Sequence, residues 1–93
     1  MNLRLSNVTG AVLCVSQFTL YGDVRRGRRP SFESAAPAEV ARALYEAFCD
    51  AIQDLGVSCQ RGRFGEHMVV SLVNDGPVSL MIDSADLDVP RQT

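Results

Sequence analysis

The run from Pro37 to Leu55 constrains this chain more than any other. Val40, Leu44, Phe48 and Ile52 fall four residues apart, with Ala41, Ala51 and Leu55 beside them. That spacing sets them on one stripe of an α-helix, whereas a strand would scatter them over two faces. The ends carry matching signals. Pro37 suits the first helical turn, where a missing N–H costs nothing, and Glu39 sits at the positive end of the helix dipole. Gly56 stands where a left-handed residue closes a helix. A chain of 93 residues has room for a single domain around such a helix.

The other regular segments read as strands. Ala11 to Leu20 is apolar first and alternating later, which predicts a strand buried on both faces at its start and on one at its end. Val57 to Gln60 is a short candidate; His67 to Val73 and Val78 to Asp83 are stronger ones. Asn74-Asp75-Gly76-Pro77 separates those two and has turn chemistry at every position. Tyr21 to Pro30 is rich in glycine and arginine and is expected to be an exposed loop, and Ala85 to Thr93 a polar tail. The order strand, helix, strand, strand, strand predicts an α+β fold: a mostly antiparallel sheet with one packed amphipathic helix.

Composition removes several classes. Hydrophobic residues make up 46%, too many for a disordered tail. No apolar run approaches the ~18–20 residues of a membrane span, and the first residues lack the apolar centre of a signal peptide. A soluble cytoplasmic protein is expected. Cys14, Cys49 and Cys59 are scattered, no CxxC pair exists, and His67 is the lone histidine. That disfavours a disulfide framework and a metal site, and leaves Cys14 and Cys49 as small hydrophobes on apolar faces. Net charge is −2, so nothing global calls for nucleic acid. Four of the nine arginines, however, crowd into Arg25-Arg26-Gly27-Arg28-Arg29. A local cluster counts for more than net charge, because its field is screened within about 8–10 Å.

Two segments could carry chemistry. In Ser16-Gln17-Phe18-Thr19-Leu20-Tyr21-Gly22-Asp23, polar residues leave a buried strand and can aim hydroxyl, amide and backbone donors into a cleft. In Asn74-Asp75-Gly76-Pro77-Val78, glycine permits close approach of a ligand, and proline lowers the cost of a cis peptide to about 0.5–1 kcal/mol. Taken singly, each is more simply a strand leaving the core and a turn. No Ser/His/Asp triad can be assembled, and a lone histidine at the start of a strand is more often structural than catalytic.

Taken together, and with Arg-Gly-Arg-Arg-Pro-Ser-Phe at 26–32, Gly62-Arg63-Phe64-Gly65, Met68 and Ser71 to Val78, these segments closely resemble the D-aminoacyl-tRNA deacylase family. The resemblance runs from about Gly10 to Ser84. Gly22 and Ser79 stand where close relatives often carry alanine and threonine. Family members also carry strands and a helix ahead of the Ser-Gln-Phe-Thr-Leu segment, so the resemblance implies the C-terminal part of such a domain. It follows that an apolar face near Val12, Leu13 and Val15 is expected to be left open, and that the chain alone is expected to be an inefficient enzyme.

The resemblance implies an esterase that needs no cofactor and removes D-amino acids, or mischarged glycine, from the terminal adenosine of tRNA. It places Ser16, Gln17, Phe18 and Thr19 at the reacting centre. Phe18 and Thr19 offer backbone groups, while Ser16 and Gln17 hold ester and ribose. Thr19 could act as nucleophile, but without a base to take its proton the 2′-hydroxyl of the tRNA is the better agent. Asn74, Gly76 and Pro77 are implied to bind substrate, with a Gly-cisPro pair crossing a homodimer to exclude L side chains. Phe64 and Met68 would flank the pocket, and Arg25, Arg26, Arg28 and Arg29 would meet tRNA phosphates. Two rival readings remain: a non-catalytic nucleic-acid-binding module of the same fold, and an inactive fragment.

Overall fold

The structure is a computed structural model and describes residues 3–25 and 27–88. The expected helix is α1, Ala38–Asp54, with Pro37 as its N-cap and Leu55 as its C-cap. Its end is closed by backbone bonds alone. Gly56 N–H donates to Gln53 O at 2.9 Å and Val57 N–H to Ile52 O at 3.4 Å, and Gly56 has φ +84°. This pair of bonds satisfies carbonyls that the helix would otherwise leave open.

The face that packs is rotated from the expected stripe. Cys49 is 0% exposed, and Ala41, Tyr45 and Ile52 are half-buried. Val40, Leu44, Phe48 and Leu55 are all exposed, Phe48 at 59%. The small side chains of Ala41 and Cys49 let α1 lie close on the sheet, while nothing among the described residues covers the larger ones. Among the described residues only Cys49 and Cys59 are buried, and of these only Cys49 completely, so the core is thin.

The sheet has two strands, β1 (Ala11–Cys14) and β2 (Ser58–Arg61), and they run parallel. This corrects the expectation of a mostly antiparallel sheet, while the α+β class stands. The reason is the connection: α1 lies between the strands and returns the chain to the starting end of the sheet, which gives parallel pairing. Val12 pairs with Cys59 and Cys14 with Arg61. Val12 and Cys14 alternate with exposed neighbours, so Cys14, Cys59 and Cys49 gather between sheet and helix. Of the three residues expected to form an open apolar face, Leu13 is exposed, whereas Val12 and Val15 are half-buried.

Other strand expectations shorten or fail. The segment Ala11 to Leu20 is a strand only to Cys14; Phe18–Tyr21 turns into a 3-10 helix, with Gly22 N–H donating to Thr19 O at 3.0 Å. His67 to Val73 and Val78 to Asp83 enter no ladder among the described residues, and Val73 is 93% exposed. β-branched residues favour a pleated surface, but a strand needs a partner to exist. The loop after Tyr21 is closed by an antiparallel bridge of Asp23 with Ser31, at 2.7 and 2.8 Å. Short 3-10 helices stand at Leu5–Asn7 and Ser84–Asp88. Arg26 and the last part of the expected tail lie outside the described residues.

Candidate active site

The site forms where β1 and β2 end side by side. Gly62 N–H donates to Cys14 O at 3.0 Å and so prolongs the ladder by one bond. Tyr45 on α1 donates its hydroxyl to the same carbonyl at 2.6 Å. Beyond this junction the two chains diverge. Val15 and Ser16 lead into the 3-10 turn, and Arg63 and Phe64 lead through Gly65 to His67 and Met68. Gly62 leaves room here: a Cβ at this position would stand 2.9 Å from Met68 Sδ, and that flexible side chain would have to shift. Arg63 N–H also reaches Met68 Sδ at 3.3 Å.

Between the diverging chains and the first half of α1 lies a cavity of about 700 Å3. Its lining draws Ser16, Gln17 and Phe18 from the first chain segment, Phe64 and Met68 from the second, and Ala41, Leu44 and Tyr45 from α1. The expected residues from two distant parts of the chain therefore meet. Thr19 does not line the cavity; its Oγ1 accepts a hydrogen bond from the Gln17 side-chain amide. Phe18 packs edge-on against Phe32, with ring centroids 5.1 Å apart and planes at 66°.

Asn74, Gly76 and Pro77 are not among the residues that line the cavity. The Gly76–Pro77 peptide is cis and lies in an exposed stretch. Of the arginine cluster, Arg25 is engaged by Asp23: Nε and Nη2 meet the two carboxylate oxygens at 3.0 and 2.9 Å. The Arg25 side chain, then its backbone N–H, hold the Asp23 carboxyl below its usual range. Arg28 and Arg29 are exposed.

Several lining residues went unrecognised in the sequence. Tyr21, Tyr45 and Glu66 line the cavity, and so does His67, set aside above as structural. The one available signal for Tyr45 was its place in the series Ala41, Tyr45, Cys49, four residues apart. Burial pushes the Tyr45 phenol up, so it stays a protonated donor at neutral pH. Phe64 is flanked by the Tyr45 ring, centroids 6.0 Å apart, and by the Arg42 guanidinium, 5.1 Å over its face. A largely apolar cavity with a hydroxyl and an amide at one lip suits a ligand that is apolar or flat at one end and polar at the other.

Comparison with known proteins agrees with the motif reading. The profile of the D-Tyr-tRNA(Tyr) deacylase family matches residues 1–83. Similar proteins named D-aminoacyl-tRNA deacylase occur in several bacteria. One from Kocuria rhizophila is 59% identical over 81 residues, covering 87% of this chain and 54% of that protein. One from Thermosipho africanus is 55% identical, covering 90% of this chain and 56% of that protein. One from Roseiflexus castenholzii is 54% identical, covering 97% and 57%. The chain thus spans little more than half the length of the curated relatives it matches.

Proposed function

Because the chain belongs to the D-Tyr-tRNA(Tyr) deacylase family, we propose that its cavity serves the hydrolysis of the ester between a D-amino acid, or glycine, and the terminal adenosine of tRNA. The observation that carries this reading is the convergence of Ser16-Gln17-Phe18 with Phe64 and Met68 in one cavity. Such a reaction passes through a tetrahedral oxyanion, and each well-placed donor to it is worth roughly 2.7–4 kcal/mol. The backbone of Phe18, which lines the cavity, supplies such a donor, while Ser16 and Gln17 hold ester and ribose. The Thr19 hydroxyl accepts from the Gln17 amide, and among the described residues it donates to no base. That supports attack assisted by the 2′-hydroxyl of the tRNA over attack by Thr19 itself.

Selection against L-amino acids falls to Gly76 and Pro77, with Asn74 beside them, delivered from a second copy of the chain. Arg28 and Arg29 meet tRNA phosphates, and the work is cytoplasmic. The test is an assay with D-tyrosyl-tRNA and L-tyrosyl-tRNA. Hydrolysis of the D ester above background, sparing of the L ester, loss of hydrolysis in Phe64→Ala and loss of the D/L difference in Pro77→Ala support the reading. Equal hydrolysis of both esters, or none by a folded protein, overturns it.

A further inference from the structure

We propose that Tyr45 is a positioning residue for this cavity: its hydroxyl fastens the ends of β1 and β2 to α1, so that Ser16 and Phe64 keep their separation. The proposal rests on the functional reading above for its catalytic consequence, but not for its geometry.

The Cys14 carbonyl has two lone pairs, and both are taken. Gly62 N–H fills one at 3.0 Å and Tyr45 O–H the other at 2.6 Å. The phenol oxygen is also 3.4 Å from Gly62 O, but it has a single proton, and the short contact to Cys14 claims it. Three elements are thus joined at one atom. Ser16 follows that junction by two residues on the first chain and Phe64 by two on the second, and both line the cavity. The Tyr45 ring lines it as well and stands beside Phe64. Cys49, one turn further along the same helix face, is fully buried.

A residue that merely stabilises the helix would do none of this selectively. Beyond the junction no ladder holds the two walls, since residues 15–17 and 62–68 lie outside both strands. Their separation is inherited from the last fixed point. Catalysis by positioned groups is steep in distance: a displacement of about 1 Å can cost ~100-fold in rate. Loosening the junction therefore acts on turnover more than on tRNA affinity, which is spread over a much larger surface.

The test compares wild type, Tyr45→Phe and Ile52→Val. The first variant deletes the hydroxyl alone; the second trims the same helix face outside the cavity. We expect kcat on D-tyrosyl-tRNA to fall roughly tenfold or more in Tyr45→Phe, with KM within about twofold, while Ile52→Val keeps its kcat at a comparable loss of Tm. Hydrogen exchange supplies the second readout. The amide of Gly62, whose bond ends on the same carbonyl, should exchange faster in Tyr45→Phe but not in Ile52→Val, with those of 46–53 unchanged. Equal kcat in the two variants, or faster exchange spread evenly over α1, overturns the proposal. Should wild type hydrolyse no D ester, the functional reading fails and the exchange pattern alone decides the role of Tyr45. If Tyr45→Phe does not fold, wild type still answers. Its Gly62 amide must be protected well beyond those of residues 69–73, and exchange at their rate refutes the junction.

Discussion

Arg61, the last residue of β2, donates its Nη2 to two side chains one turn apart on α1, Asp50 Oδ1 at 2.5 Å and Gln53 Oε1 at 2.8 Å. The contact crosses from sheet to helix at the edge of the thin core. Asp50 remains largely exposed, so water and salt screen the pair. Asp50→Ala should lower the urea midpoint slightly, and the difference from wild type should shrink at high salt. A loss that persists undiminished in 1 M salt would show that hydrogen bonding, not charge, holds this edge.

Gly56 is a costlier position. Its φ of +84° closes α1, and open space surrounds the place a Cβ would occupy, so any penalty is backbone strain alone. Gly56→Ala should cost about 1–2 kcal/mol, and Gly56→Asn clearly less, because asparagine tolerates the left-handed region. Denaturant unfolding of the two variants gives the ranking. Equal losses would mean that the turn can re-form without a left-handed residue.

Cys14 sets a limit at alkaline pH. Burial first, and then the hydrogen bond to Cys49, push its thiol from an ordinary 9.0 up to about 11. The folded chain holds this proton more tightly than the unfolded one. Stability is therefore untouched below about pH 9 and declines as pH climbs from there through 11. Cys14→Ala should flatten that part of the unfolding profile. Cys14 in the native chain should also alkylate slowly at pH 8, and rapid labelling there would contradict a thiol that stays protonated.

The arginines of the loop are unequal. Arg25 is already bound at both ends of its fork by Asp23, while Arg28 and Arg29 are exposed. Removing Arg28 and Arg29 together should flatten the log–log salt dependence of tRNA binding by roughly 1.5–2, and removing Arg25 by less than about 0.5. The same titration, run on both variants, separates them. A larger effect from Arg25 would mean that tRNA displaces Asp23.

What could be read in advance divides along the range of the forces involved. Both ends of α1 were legible, since Pro37 and Gly56 act within one turn of themselves. The packed face differs from the stripe of large apolar residues because Ala41 and Cys49 are small enough to allow the close approach. The hand of the sheet was missed for a topological reason. Antiparallel pairing was expected from a count of strands, but α1 stands between the two strands that pair. His67 to Val73 has strand composition and no partner among the described residues, and composition cannot report a partner. Ser16, Gln17, Phe18, Phe64 and Met68 were reachable through long motifs. Tyr45 was not, because its hydroxyl answers to the backbone carbonyl of Cys14, and carbonyls are the same at every position.

The parallel pairing of Ala11 with Ser58 also orders events in time. Helix α1 is made of local bonds and can form within about a microsecond. The ladder of β1 with β2 can begin only after the whole intervening chain has been looped back, at an entropic cost that local bonds do not carry. Since the cavity opens just past the end of that ladder, its walls can be set only once the ladder has formed. As the chain refolds, helical signal should return first, and any signal from the aromatic wall at Phe64 and Tyr45 should lag behind it.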